Sequence, residues 1–265
     1  MAATGTSTDA TTDPEVRVCQ STGLVLVPFP TRGTWRVFKN NRPAVSGRPR
    51  EGQPPKKWNR FDLPGEHGTV YSATTRRGAL AEVLASFKPR TSQILELMRE
   101  AFNDVDEGDD PITREWDELG HMRPGHIAQV WRAERRLIQL HHRTPPEVGP
   151  YVHIEHHESI AAISESCADL LTDLGVEELD VSELRSNDRE LTCSLAEWIS
   201  AQYLDDGAVP VGIRYASRHS TEWECWATIP PPPYGNLAPA GAERDLSNRD
   251  PDLEYVAKLF GLTFH

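Results

Sequence analysis

The chain has 265 residues, of which 38% are hydrophobic and 26% are charged, and these proportions exclude a collagen, a coiled coil and a wholly disordered protein. The net charge of −12 argues against a protein that coats nucleic acid or anionic lipid with its whole surface. No run approaches the ~18 to 20 consecutive apolar residues of a membrane-spanning helix, so we expect a cytoplasmic protein without membrane contact.

The first 90 residues predict a short tail, three strands and a loop. Residues 1–14 contain little that a core could bury and are expected to be disordered. Runs rich in branched and aromatic residues at 23–27, 34–38 and 69–73 predict strands. Between the second and third strands, residues 40–57 are rich in Pro, Gly and basic residues, which predicts a solvated basic loop that contains Arg48, Arg50, Lys56 and Lys57.

An amphipathic helix is predicted over residues 78–87, after Thr74 or Thr75 as its cap. Its apolar residues, at positions 80, 83, 84 and 87, follow the i, i+3, i+4, i+7 pattern. Glu82 lies beside this apolar stripe, and its neighbours one turn away, Gly78, Ala79 and Ser86, are small. A carboxylate at the edge of a core with only small neighbours leaves room for a ligand.

The rest of the chain predicts an elaboration and then further elements of the same domain. Residues 91–150 are expected to add helices, at about 94–102 and 126–141. Helices are also predicted at 168–174 and 191–203, and a strand hairpin at 209–216 and 222–229. Residues 230–265 read as a proline-rich segment and a final helix packed on the domain, with Asp250 as its N-cap, Pro251 in its first turn and Gly261 after its end.

Common signatures of catalysis and metal binding are absent. The chain has no glycine-rich dinucleotide or phosphate loop, no GxSxG, no HExxH and no EF-hand loop. The four cysteines are far apart and form no CxxC pair, so they are expected to be reduced. On a strand, His153, Glu155 and His157 would share a face that suits a divalent metal, but no fourth ligand is suitably spaced. We therefore predict no metal.

Five polar or aromatic residues form a more informative set: Arg36, Arg60, Tyr71, Glu82 and Ser217. Arg36 and Tyr71 fall in predicted strands, Glu82 falls in the predicted helix, and Ser217 ends a strand. In their order and spacing these residues resemble the RES domain, which is named for an arginine, a glutamate and a serine. The resemblance covers roughly residues 30–90 and 160–229, and no counterpart is identified for 91–150.

This resemblance implies a fold, a substrate and a partner. The expected fold is α/β (α+β), similar to that of the ADP-ribosyltransferases, with a split mixed β-sheet around an NAD+ cleft and helical additions. The catalytic domain would span residues 15–229, with 91–150 as an insertion. NAD+ would be the substrate, consumed by hydrolysis or phosphorolysis as in toxins of this family, or used for ADP-ribosyl transfer to a protein. A helix-turn-helix antitoxin would be the partner.

Carried onto this chain, the family's site residues have roles that suit their chemistry. Glu82, Arg36 and Ser217 would be catalytic, and Arg36, Arg60, Tyr71 and Ser217 would bind the dinucleotide. Cleaving the nicotinamide–ribose bond develops positive charge on the ribose, which a carboxylate stabilises. Guanidinium groups suit the two phosphates, and a tyrosine ring suits stacking on the nicotinamide. The chain departs from the family pattern at Asn59, Asp62 and Ala216, which flank these residues.

Two other kinds of function remain open from the sequence. A nucleic-acid-binding module would use the basic 32–60 region, with Trp35, Trp58 and Phe61 as stacking surfaces, although the overall charge disfavours this. A non-catalytic interaction protein would keep the pocket and dock a partner on the acidic segment 91–120. The sequence also leaves the acceptor of the ADP-ribose open among water, phosphate and a protein side chain.

Overall fold

A computed structural model describes residues 16–89, 125–142, 149–229 and 237–264. These residues form a mixed α/β fold, which confirms the predicted class. The strands are β1 (Arg17–Val18), β2 (Val25–Val27), β3 (Thr34–Lys39), β4 (Val70–Ala73), β5 (His126–Ile127), β6 (Arg135–His142), β7 (Tyr151–His153), β8 (Gly212–Ser217), β9 (Ser220–Thr228), β10 (Leu237–Asp245) and β11 (Thr263–Phe264). The helices are α1 (Arg76–Leu84), α2 (Gln129–Ala133), α3 (His157–Ser166), α4 (Ala168–Asp173), α5 (Val181–Arg185), α6 (Arg189–Ser200) and α7 (Pro251–Phe260), with 3-10 turns at Pro55–Lys57 and Ala85–Phe87.

Nine of these strands form one mixed sheet in the order β1-β2-β7-β8-β9-β4-β3-β6-β10. Neighbouring strands are antiparallel except for β7 and β8, which are parallel. The predicted positions Arg36, Tyr71 and Ser217 lie on β3, β4 and β8, which fall within one run of four adjacent strands. The sheet therefore brings together residues that are far apart in the sequence.

Helix α1 follows directly from β4 and packs closely against it. The Thr75 side chain caps the helix by accepting from the backbone N–H of Gly78 at 3.0 Å. A Cβ at Gly78 would lie 3.1 Å from Cβ of Ala73, so glycine permits this close approach. Leu80 and Leu84 are fully buried in the core. The helix therefore has a fixed rotation, which leaves Glu82 half-buried at the edge of the core.

The final helix was predicted correctly, but the segment before it was not. Asp250 caps α7 by accepting from two backbone N–H groups, and Gly261 ends it in the left-handed region at φ 66°. No strand was predicted directly before this helix, but the chain there forms β10, which pairs with β6 at the edge of the sheet. Most β10 residues are exposed, and the run contains Pro239 and Gly241, so it shows no strand alternation.

The helix predicted over 126–141 is wrong. The chain there forms β5, the short helix α2 and the eight-residue strand β6, which lies between β3 and β10. Leu137, Ile138 and Leu140 are all buried, because both faces of this strand are covered. A continuously apolar strand of this kind cannot be distinguished from a buried helix by periodicity.

The basic loop is also less solvated than predicted. Arg48, Lys56 and Lys57 are exposed, but Arg50 is 2% exposed and forms a buried ion pair with Asp62. Asp62 also accepts from the backbone N–H of Asn59 at 2.8 Å. Asp62, which departs from the family pattern, therefore holds the loop that carries Arg60.

The cysteines are as predicted: all four are buried and unpaired. No helix within the described ranges is both long and apolar enough to traverse a bilayer. The predicted disordered tail at 1–14, the helix at 94–102 and the prolines at 230–233 lie outside the described residues.

Candidate functional site

A cavity of about 720 Å³ lies between α1, strands β3 and β4, and the start of α6. This volume is within the range of small-molecule sites, roughly 300 to 1,000 Å³. Arg36, Arg60, Tyr71 and Glu82 all line it. Four of the five residues selected from the sequence therefore meet at one cavity.

The fifth residue, Ser217, lies behind Glu82 and does not line the cavity. Its side chain is 1% exposed, and its Oγ donates to Oε1 of Glu82 at 2.5 Å. The same Oγ accepts from the backbone N–H of His219 at 3.1 Å. Ser217 therefore holds the carboxylate of Glu82 at the cavity wall.

Arg36 lines the cavity and has partly unsatisfied hydrogen-bond donors. Its Nη2 donates to the carbonyl oxygen of Ser46 at 2.7 Å. Its Nε and Nη1 are buried and have no hydrogen-bond partner among the residues that the structure describes. Burial lowers the pKa of Arg36 to about 10, so the group remains charged at neutral pH. A charged guanidinium with unused donors is suited to bind an anion.

Arg60 is the more deeply buried of the two predicted arginines, at 6% exposure. Its guanidinium carbon lies 4.7 Å from the centre of the Tyr215 ring and 5.6 Å from that of Phe61. Within the described part of the chain its Nη1 has no hydrogen-bond partner. The two rings therefore hold the flat guanidinium in place and leave a donor unused.

Tyr71 lines the cavity, and its hydroxyl is bonded to the backbone. The hydroxyl oxygen accepts from the backbone N–H of Phe61 at 3.0 Å, which ties β4 to the loop that carries Arg60. Burial raises the pKa of Tyr71 well above 10, so the phenol is neutral. The flat ring is the feature available for stacking on a ligand.

Sequence reasoning missed two further arginines that line the cavity, Arg189 and Arg218. Arg189 begins α6 and donates to the carbonyl oxygen of Ser186 at 3.1 Å. Arg218 follows β8 and donates at 2.7 Å to Oδ1 of Asn187 and to the carbonyl oxygens of Arg185 and Ser186. Burial and the nearby charge of Arg60 lower the pKa of both groups. In the sequence, the only indication of either arginine was that Arg218 directly follows Ser217.

The cavity is strongly positive. Five cationic side chains line it, and Glu82 is the only acidic residue among the described lining residues. His219 also lines it, and burial lowers its pKa, so its ring is largely neutral at pH 7. An anionic ligand that presents a site of positive charge to one carboxylate would match this arrangement. The cations are Arg36, Arg60, Lys88, Arg189 and Arg218.

The histidine-rich segment does not form the metal site considered from the sequence. The strand ends at His153, and the carboxylate of Glu155 binds Arg185 through two 2.9 Å hydrogen bonds. A different group, His156, His157 and Glu158, has potential ligand atoms within 4.8 Å of one another at the surface. The His156 side chain already accepts from the backbone N–H of Glu158 there. The absence of a metal stays a prediction.

Comparisons with known proteins bear on this site. The model of the RES domain matches residues 34–141, which include Arg36, Arg60, Tyr71 and Glu82 but not Ser217. A search of curated proteins finds no match. Among solved structures, the chain is similar to one in the crystal structure of the M. tuberculosis MbcT-MbcA toxin-antitoxin complex, at 12% identity, with 89% of this chain and 90% of that chain covered and a TM-score of 0.42.

The residues that the family model matches differ from those over which the sequence analysis found the resemblance. The match runs through residues 91–141, for which no counterpart was identified, and it ends before the 160–229 region. The inclusion of 135–141 agrees with the position of β6 inside the main sheet, beside β3. The resemblance to the RES domain family that Arg36, Arg60, Tyr71 and Glu82 indicated is thereby confirmed over residues 34–141.

Proposed function

We propose that the cavity binds NAD+ as a substrate and that Glu82 promotes cleavage of its nicotinamide–ribose bond. The observation that carries this proposal is the single carboxylate of Glu82, held by Ser217 at the wall of a cavity where five cationic side chains are also among the described lining residues. NAD+ has a matching distribution of charge: two phosphates, and a ribose that becomes positive as the nicotinamide leaves. The family resemblance favours the same substrate.

In this proposal the arginines hold the pyrophosphate. Nε and Nη1 of Arg36 and Nη1 of Arg60 are unused donors. Arg189 and Arg218, which also line the cavity, add further positive charge. Each charge-assisted hydrogen bond contributes about 1.5 to 3 kcal/mol. Such contacts bind substrate and transition state alike, so they account for affinity more than for rate.

Glu82 would act on the reacting ribose. Departure of the neutral nicotinamide leaves an oxocarbenium-like sugar, and a nearby carboxylate stabilises this charge more than it stabilises the ground state. The carboxylate could also orient the incoming nucleophile. The ring of Tyr71 would stack on the nicotinamide and hold the bond to be broken beside Glu82.

The role of Ser217 in this proposal differs from the direct substrate contact that the family resemblance implied. Its hydroxyl is buried and already donates to Glu82. We therefore assign it to positioning the carboxylate. In free solution a glutamate samples several rotamers, and fixing one of them reduces the entropy lost when the transition state forms.

The products should identify the acceptor of the ADP-ribose. Pure protein incubated with NAD+ should release nicotinamide with ADP-ribose if water is the acceptor, or with ADP-ribose 1″-phosphate if added phosphate is. NAD+ that stays intact over hours in both conditions and transfers no ADP-ribose to the proteins of an added cell extract would overturn the proposal. In that case, a salt-dependent titration with single-stranded nucleic acid would test the binding-module alternative.

The toxic activity and helix-turn-helix antitoxin implied by the family resemblance are also part of this proposal. Induced expression in a bacterial host should lower cellular NAD+ and stop growth, and the Glu82→Ala variant should do neither. Co-expression of a candidate antitoxin should restore both. Normal growth and NAD+ at matched levels of wild-type protein would argue against the toxin role.

A further inference from the structure

We infer that Glu155, which lines no part of the cavity, is a positioning residue for the reaction. Its carboxylate fixes the backbone at Ala216 and so directs the hydroxyl of Ser217 toward Glu82. This inference rests on the proposed function for its kinetic consequence, but its structural part can be tested independently. The contacts involved lie at the end of β8, beyond its pairing with β7.

Glu155 takes the place of a strand partner beside β8. The parallel pairing of β7 with β8 ends at His153 opposite Arg214, while β8 continues to Ser217. Beyond that point the backbone N–H of Ala216 donates to Oε2 of Glu155 at 3.0 Å. On its other side β8 shifts register against β9 between Ala216 and Ser217. A backbone that leaves the regular ladder on both sides needs such a side-chain acceptor to stay in one conformation.

The carboxylate of Glu155 is itself held rigidly. Nε of Arg185 donates to Oε1 and Nη2 donates to Oε2, both at 2.9 Å, and the Glu155 side chain is only 6% exposed. A bidentate pair of this kind fixes orientation as well as distance. The acceptor for Ala216 therefore belongs to a fixed structure that includes the end of α5.

The other neighbour of Ser217 is anchored to the same segment. Arg218 donates to the carbonyl oxygens of Arg185 and Ser186. Ser217 thus lies between two residues, Ala216 and Arg218, that are each tied to the 185–186 region. This double attachment explains how a hydroxyl at the end of a strand keeps its direction toward Glu82.

The kinetic test compares Glu155→Ala with wild type in nicotinamide release. Misdirection of Glu82 should lower kcat by about 10- to 100-fold, and KM should change less than about threefold because Arg36 and Arg60, whose unused donors are assigned to the pyrophosphate, have no hydrogen bond to Glu155. In a Ser217→Ala background the same substitution should lower kcat by less than about twofold, because the path it acts through is already broken. Glu178→Ala, an exposed glutamate, is the control and should match wild type. Additive losses of kcat in the double variant would overturn the inference.

The structural test does not need activity. The amide of His219 is bonded to Oγ of Ser217 and not to Glu155, so it reports whether the serine has moved. In Glu155→Ala its hydrogen exchange should be at least about tenfold faster than in wild type, and unchanged exchange would overturn the inference. If Glu155→Ala does not fold, Arg185→Met removes the two hydrogen bonds that hold the Glu155 carboxylate, from a more exposed position, and is judged by the same two outcomes. Wild-type protein that releases no nicotinamide would refute the proposed function alone, and the His219 exchange would still decide the role of Glu155.

Discussion

The hydroxyl of Ser217 donates to Oε1 of Glu82 at 2.5 Å and joins two residues that are 135 positions apart in the chain. The serine is buried, while the glutamate reaches the cavity. The two residues therefore form one hydrogen-bonded unit, in which the carboxylate faces the cavity and the hydroxyl behind it holds the direction of that carboxylate.

Substitution of Arg36 should weaken ligand binding without destabilising the fold. Two of its donors are buried without a partner among the described residues, so the free protein gains little from them. Arg36→Met should weaken NAD+ binding by about 10- to 100-fold and leave the free energy of unfolding unchanged or higher. Calorimetric titration and urea unfolding measure the two effects. Arg42→Met, at an exposed arginine, is the control, and a loss of stability without a loss of affinity would contradict the assignment.

The ring and the hydroxyl of Tyr71 should have separable effects. Tyr71→Phe keeps the ring but leaves the backbone N–H of Phe61 without its acceptor, so the free energy of unfolding should fall by about 1 to 3 kcal/mol while NAD+ affinity changes little. Tyr71→Ala removes the stacking surface and should lower affinity by a further factor of about 10. Equal affinities for the two variants would show that the ring does not contact the ligand.

The ion pair between Arg50 and Asp62 should be important for stability. Both side chains are 1% exposed, so Asp62→Ala would leave a buried, uncompensated guanidinium and cost about 3 to 5 kcal/mol. Asp245→Ala breaks an ion pair with Arg136 in which the aspartate side chain is 79% exposed, and it should cost at most about 1 kcal/mol. Urea midpoints with matching m-values test this difference. Similar losses in the two variants would contradict the buried pair.

Stability should decline in mild acid because of two half-buried histidines. Burial lowers the pKa of His142 and of His153 from 6.5 to about 4 in each case. Between these values the unfolded chain binds more protons than the folded chain, so the free energy of unfolding falls as the pH drops from 6.5 toward 4. His142→Gln should flatten this dependence, and His67→Gln, at an exposed site, should not. An identical slope for wild type and His142→Gln would exclude this cause.

Elements with a strong local pattern were predicted correctly from the sequence. The apolar spacing on α1, the capping residues of α7 and the branched runs of β3 and β4 all have counterparts in the structure. Strand β6 was mistaken for a helix because it is apolar on both faces, and β10 was missed because its residues are mostly exposed at an edge. Both strands are defined by their neighbours in the sheet, which a single sequence does not reveal.

The residues of the candidate site were likewise predicted only in part. The order and spacing of Arg36, Arg60, Tyr71 and Glu82 were sufficient to select four residues that share a cavity. Arg189 was missed because an arginine in the first turn of a helix has the same local pattern as a surface charge. The position of Ser217 behind Glu82 depends on a hydrogen bond between the end of β8 and α1, which are 135 residues apart, and no local pattern encodes that contact.

The proposed reaction depends on the negative charge of Glu82, and the Glu82→Gln variant tests this dependence most directly. Glutamine preserves the size of the side chain and an oxygen that can accept from Ser217, and removes only the charge. Nicotinamide release from NAD+ should fall by about 100-fold or more, while NAD+ affinity should stay within about threefold of wild type and Glu178→Gln should retain full activity. A folded Glu82→Gln protein that releases nicotinamide at the wild-type rate would contradict the account.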